Sequence, residues 1–308
     1  MSMRFSGAEF RRLVFGFGLA GLLVFHEGLA QQTVPPVREE QARQLWNTKF
    51  RSKRPLGARP TSGTADTTGR PSPASAPNVD AIMGAGEDAL VGITFWRLRD
   101  SRADDDQEVR FSERGRNTAW TPERVEAEAP LAAGENVRVG IETTRSGYLY
   151  VVDREQYADG TFSTPVLIFP TARTRSSHSV TAGRLIEIPS WEANPPYFTL
   201  RMSRPDQVAE VLTVLVVPEP LPDLQLGEEP ARLTAEQLRD WERRWGASST
   251  RLGARAQVGM AYTKAEKEAG SVRARLLTQE DPLPQTIFSL KADPGDPLLV
   301  NVRLPIVR

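Results

Sequence analysis

Between Ala89 and Val217 the chain is written in short apolar runs, each soon closed by glycine or proline. The first, Leu90-Val91-Gly92-Ile93-Thr94-Phe95-Trp96-Arg97-Leu98, is rich in β-branched and aromatic residues, and Asp104-Asp105-Asp106 marks the loop after it. Thr121-Pro122-Glu123 reads as a helix or turn start, with Thr as N-cap and Pro in the first helical position. Val137, Val139 and Ile141 then alternate with Arg138, Gly140 and Glu142, the period of a half-buried strand. Ser146-Gly147 supplies a turn and Tyr148-Leu149-Tyr150-Val151-Val152 returns, the pattern of a β-hairpin. Tyr157-Ala158-Asp159-Gly160 is a second turn, leading into Pro165-Val166-Leu167-Ile168-Phe169-Pro170. Further strands read at Leu185 to Ile188, Tyr197 to Met202 and Val211 to Val217. Short strands with hardly a helix between them predict a mainly β chain, built as an antiparallel sandwich or barrel; the sandwich is the architecture expected over residues 88–222.

Residues 223–308 change character. Thr234-Ala235-Glu236-Gln237 is a capping box opening a helix through Trp241 to Trp245, stopped by Gly246. Thr263-Lys264-Ala265-Glu266 repeats the device, with Gly270 as its stop. Trp241 and Trp245 share one helical face and serve to dock that helix. Thr286 to Leu290 and Leu298 to Val302 flank Asp293-Pro294-Gly295-Asp296, a hairpin in outline. We expect these helices and strands to pack on the sandwich as an extension of it.

Residues 1–30 read as a secretory leader. Arg4, Arg11 and Arg12 form a basic start, Leu13 to Phe25 is apolar, and Gly28-Leu29-Ala30 offers small residues for cleavage. The apolar run is shorter than the roughly 20 residues a membrane span needs, so no transmembrane segment is expected after cleavage. Removing the leader leaves 36 basic against 37 acidic residues. That balance gives no reason to expect a nucleic-acid partner. The predicted product is secreted, periplasmic or extracellular.

Residues 31–87 have the composition of a disordered linker, with Pro55, Pro60, Pro71, Pro73 and Pro77 interleaved with Gly, Ser and Thr. Within it, Leu45, Trp46 and Phe50 can line one face of a short helix. From Arg38 to Arg70 eight basic residues stand against three acidic ones. Such a run serves as a solvated spacer; the alternative is an arm in which Lys49, Arg51, Lys53 and Arg54 hold an anionic polymer or lipid headgroup by screenable attraction.

The residue inventory excludes much chemistry. With no cysteine there is no disulfide, thiolate nucleophile or zinc–sulfur site. His26 lies in the leader, so His178 alone remains, in a polar run between strands; a multi-histidine metal site is excluded. No Gly-x-Ser-x-Gly elbow occurs. Gly16-Phe17-Gly18-Leu19-Ala20-Gly21 matches a dinucleotide fingerprint inside the leader, and Gly84-Ala85-Gly86 precedes a strand where the motif must follow one; both are chance matches. Asp104-Asp105-Asp106, or Asp153 with Asp159, could offer oxygen ligands to calcium, but neither has the alternate spacing of a calcium loop. No cofactor or metal is expected.

Aromatic residues near strand ends remain. Trp96 reads as core, whereas Tyr157, Trp191 and Tyr197 fall in loops where faces could stack on a partner.

Four blocks in order carry a family resemblance: Gly134-Glu135-Asn136-Val137-Arg138-Val139, Gly147-Tyr148-Leu149-Tyr150-Val151-Val152-Asp153, Leu167-Ile168-Phe169-Pro170 and Gly183-Arg184-Leu185-Ile186-Glu187-Ile188-Pro189. Over residues 89–220 the chain resembles the bacterial domain of unknown function 4384. The resemblance implies an all-β module of exported proteins and brings no catalytic residues with it. The expectation is a non-enzymatic β-sandwich of the cell envelope or extracellular space that binds a protein or glycan. A carboxylate-dependent hydrolase of envelope polymers and a purely structural spacer are the alternatives.

Overall fold

The computed structural model describes residues 44–46, 48–50, 53–54, 88–105, 109–113, 116–171, 178–222, 224, 230–246, 249–253, 257–270 and 276–308, the side chains of 110–117 aside. The leader and most of the 31–87 segment, Arg51 included, lie outside the described residues.

Two sheets face each other as a sandwich. The first is organised on β1 (Ala89–Asp100), which pairs along one side with β5 (Asn136–Thr143). Its other side is shared: β13 (Thr286–Leu290) lies against Ala89 to Ile93, and β3 (Arg116–Val125) against Phe95 to Asp100. Beyond these, β2 (Val109–Glu113) pairs with β3, β12 (Ser249–Gly253) with β13, and β9 (Ile186–Ile188) and β10 (Phe198–Thr199) with β5. The second sheet runs β4 (Leu131–Ala132), β14 (Leu298–Val307), β11 (Gln207–Val217), β6 (Gly147–Tyr157) and β7 (Val166–Phe169), with β8 (Ser179–Val180) also on β6. Every pairing is antiparallel except β14 with β4.

The alternation of apolar residues fixes which side of each strand looks inward. Val91, Ile93 and Phe95 of β1 and Val137, Val139 and Ile141 of β5 meet Leu149 and Val151 of β6, Leu212, Val214 and Val216 of β11, and Val300, Val302 and Leu304 of β14 in one buried cluster. Each such side chain contributes about 1.5–3 kcal/mol by leaving water.

Alternation names a face but not a neighbour, and two expected hairpins differ for that reason. β5 and β6 lie in opposite sheets, and so do β13 and β14. Each connection is an arch over the end of the core. Arg145, between β5 and β6, donates to the carbonyls of Ala292, Asp293 (2.7 Å) and Asp296 (3.1 Å), so the two arches are clamped together. Thr121-Pro122-Glu123 is also not a helix start. It lies within β3, where Thr121 and Pro122 pair with Arg99 and Leu98.

Both outer faces are covered. Helix α1 (Ala235–Trp245), opened by the Thr234–Gln237 capping box, lays Leu238 and Trp241 with Leu233 on Tyr150, Val152, Leu215, Val217 and Leu299 of the second sheet. Helix α2 (Lys264–Ala269), the segment 276–285 and the described residues 44–46, 48–50 and 53–54 cover the first sheet. The polar side of β5, expected in solvent, is therefore buried: Arg138 and Glu142 are 1% and 3% exposed.

Candidate functional site

Charge is buried on the outer face of the first sheet in three arginine–glutamate pairs. Arg138 of β5 donates to Glu187 of β9 at 3.1 Å, with both side chains fully enclosed. Arg124 of β3 pairs with Glu266 of α2, and donates to the Leu283 carbonyl at 2.8 Å. Arg54, from the N-terminal side, pairs with Glu142 of β5 at 2.7 Å. Burial pulls the Arg138 pKa down and pushes Glu187 and Glu142 up, while each partner acts in the opposite direction. Tyr262 donates its hydroxyl to Glu187, and Trp191 Nε1 donates to that hydroxyl at 3.3 Å. Burial and Glu187 together hold the Tyr262 phenol well above its usual range, so it remains a donor.

Beside this array is a slot filled by residues 44–46, 48–50 and 53–54, hereafter the arm. Trp46 and Phe50 stack with centroids 3.7 Å apart, against Leu90, Leu252, Leu283 and Ile287. One turn further on, Arg54 gives Nε and Nη2 to the Glu142 carboxylate and Nη1 to the carbonyls of Thr278, Asp281 and Pro282. A planar fork meeting one carboxylate and a ring of carbonyls is a socket shaped for guanidinium rather than ammonium.

A second polar cluster lies on the inward side of the second sheet, beyond its apolar stretch. Glu210 of β11 stands opposite Glu155 of β6 and diagonal to Asp153. Asp153 Oδ1 and Glu210 Oε2 are buried with no N–H or hydroxyl donor, yet the two carboxyls are in hydrogen-bond contact with each other. Desolvation pushes Asp153 up to about 7; desolvation, with Asp153 and Glu155 adding repulsion, pushes Glu210 up to about 9. Gln207 donates to Glu210 at 2.9 Å, and Tyr157 donates to Glu155 at 2.7 Å.

The residues singled out from sequence fall in different places. Arg54 is a correction: instead of a solvent-exposed tail charge it is 2% exposed, because Glu142 needs a counter-charge under the arm. Lys49 and Lys53 are half-buried on the same segment. Tyr157 and Tyr197 are buried, not presented by loops. The Arg204 guanidinium lies 3.9 Å from the Tyr157 ring centre, and Tyr197 packs edge-on with Trp120. Trp191 is half-buried, its ring face taken by Arg138 at 3.4 Å. The three therefore do not form a common exposed surface: their faces close the fold. Asp105 is held by Arg99 through two bonds, by the Arg102 N–H and by Thr121, while Asp159 caps Thr161. Among the described residues no group of three acids or histidines is arranged to hold a metal. His178 packs against Tyr148 and Tyr150, and its pKa is lowered by burial.

Reading strands one at a time missed the array, because its members are spread over β3, β5, β9, α2 and the arm. The available signal was Glu187, a lone acid inside the apolar run Leu185 to Ile188. No family model, curated protein or solved structure matches the chain. Among the described residues no helix is long and apolar enough to cross a membrane.

Proposed function

We propose that this chain is an exported, non-enzymatic β-sandwich module of the bacterial cell envelope or extracellular space whose task is to bind a partner, with protein favoured over glycan. The leader pattern and the resemblance to domain of unknown function 4384 support the address. The observation that carries the binding role is the slot on the first sheet: a rigid, hydrogen-bonded floor that grips a helical segment by two stacked rings and one arginine. A carboxylate hydrolase is less well supported. Two acids flanking a glycosidic bond stand about 5–9.5 Å apart, whereas Asp153 and Glu210 touch each other beside Leu212 and Leu304.

The test is sedimentation of the purified chain with insoluble envelope material across a salt series. Binding that survives high salt is expected from an apolar contact site. Absence of sedimentation, together with no co-purifying envelope protein after cross-linking, would overturn the reading in favour of a spacer.

A further inference from the structure

We infer that the slot on the first sheet is a peptide-recognition groove for a helical segment carrying aromatic, aromatic and arginine at four-residue intervals, and that Trp46, Phe50 and Arg54 are its resident, exchangeable occupant. The inference rests on the binding-module reading and gives its partner a chemical class.

Three features make the arm a guest rather than a part of the sheet. Among the described residues its backbone–backbone bonds run only within itself, from Phe50 to Trp46 and from Lys53 and Arg54 to Phe50. The floor under it, β1 with β13 and β13 with β12, is fully paired without it. Residues 55–87 join it to β1, and their proline, glycine and serine content offers little with which to build a core.

The groove is also cut to the guest's shape. A Cβ on Gly92 would stand 3.1 Å from the Trp46 ring and overlap Pro284, which walls the slot. A Cβ on Gly183 would stand 2.7 Å from the Lys53 carbonyl. Trp46 and Phe50 share one helical face, and Arg54 follows in the bend after it, its N–H bonded to the Phe50 carbonyl at 3.1 Å. The Arg54 guanidinium lies 5.3 Å from the Trp46 ring centre, so the ring lines part of the socket. Gln279 donates to the Arg54 carbonyl at 3.2 Å, marking where the bound segment leaves the groove. Chemistry at the two ends differs: the slot accepts any flat apolar ring, whereas the socket of Glu142 and three carbonyls requires five donors in a plane. Selectivity therefore resides in the arginine.

The experiment uses the full chain with a protease site inserted between Gly63 and Thr64, and a fluorescent peptide of residues 40–56. Before cleavage the tethered arm should exclude the peptide. After cleavage and dilution the arm should leave and the peptide should bind saturably, with circular dichroism of the sandwich unchanged. A peptide with Arg54→Lys should bind about tenfold more weakly or worse, since it loses the paired bonds to a charged acceptor. A peptide with Trp46→Ala and Phe50→Ala should not bind. Retention of the cleaved arm up to the unfolding temperature, loss of the sandwich when the arm leaves, or equal affinity for the Arg54→Lys peptide would each overturn the inference. None of these results bears on whether the intact chain sediments with envelope material, so the two readings fail separately.

Discussion

The two outer faces of the sandwich are covered in opposite ways. Over the second sheet, α1 lays Leu238 and Trp241 on tyrosine, valine and leucine, and polar atoms stay at the edges, where Arg154 and Asn301 donate to Glu242 at 2.5 and 3.1 Å. Over the first sheet, the cover is pinned by the Arg54–Glu142 and Arg124–Glu266 pairs, and Tyr262 of the cover donates to Glu187, which with Arg138 forms a buried ion pair within the sheet beside Trp96. An apolar cover tolerates small shifts, because dispersion has no preferred direction. An ionic cover accepts one register, because a buried charge displaced from its partner is left in a medium that penalises it. The difference explains why the arm can be read with selectivity on one face while α1 simply docks on the other.

The largest effect should follow from breaking the comparison at its buried extreme. Arg138→Met leaves Glu187 enclosed without its counter-charge and should cost about 3–5 kcal/mol in chemical denaturation. Pairing it with Glu187→Leu should recover most of that loss; a double variant as unstable as the single one would show that packing against Trp191, not charge, holds the site. On the apolar face, Trp241→Ala should cost about 2–4 kcal/mol, whereas Trp241→Phe should cost no more than about 1.5 kcal/mol. A steep penalty for the phenylalanine would erase the contrast between a tolerant and an exacting cover.

The acid pair on the inward side gives a pH prediction. Asp153 and Glu210 hold protons more tightly in the folded chain than at their ordinary values of 3.8 and 4.5. Their contribution is complete below about pH 4 and is lost as pH rises through about 7 and then about 9. Over that window thermal stability should fall with pH, by at most about 1.4 kcal/mol per pH unit for each proton. Asp153→Asn with Glu210→Gln should flatten the slope. A wild-type profile that rises from pH 5 to pH 8 would sink the assignment.

The smallest effect compares the same device on the two faces. Thr234→Ala removes an exposed cap on α1 and should cost about 1 kcal/mol. Thr263→Ala should cost more. Its hydroxyl donates to Glu266 Oε2 at 2.8 Å and so orients the carboxylate that Arg124 needs. Equal costs would mean that the ionic cover gains nothing from its helix cap.

The sandwich and both capping boxes were legible because local chemistry writes them: alternation for strands, Thr and Gln or Glu three apart for helix starts. Neighbours were not. Nothing in Val137 to Val152 distinguishes a hairpin from an arch, since each places the same side chains inward. The buried array was illegible for a related reason. Arg138 and Glu142 carry the alternation of a solvent face, and only the cover, assembled from residues far away in sequence, turns that face into an interior. Trp46 and Phe50 were visible as a helical face, but Arg54 was read as one of a run of basic residues because its acceptor lies 88 positions further on.

The placement of β14 bears on how the chain comes together. It lies between β11 and β4, while β13 bridges β1 and β12, so the first sheet is complete only once the chain has reached residue 290 and the second only past residue 298. The inner faces of β5, β6 and β11, all earlier in sequence, have no finished surface to close on before then. A chain emerging from one end, whether from a ribosome or a translocation channel, therefore carries valine- and leucine-rich strands with open edges for most of its synthesis. Such a chain is exposed to edge-to-edge association until β14 arrives, and a truncation before β14 should leave an aggregation-prone chain instead of a smaller domain.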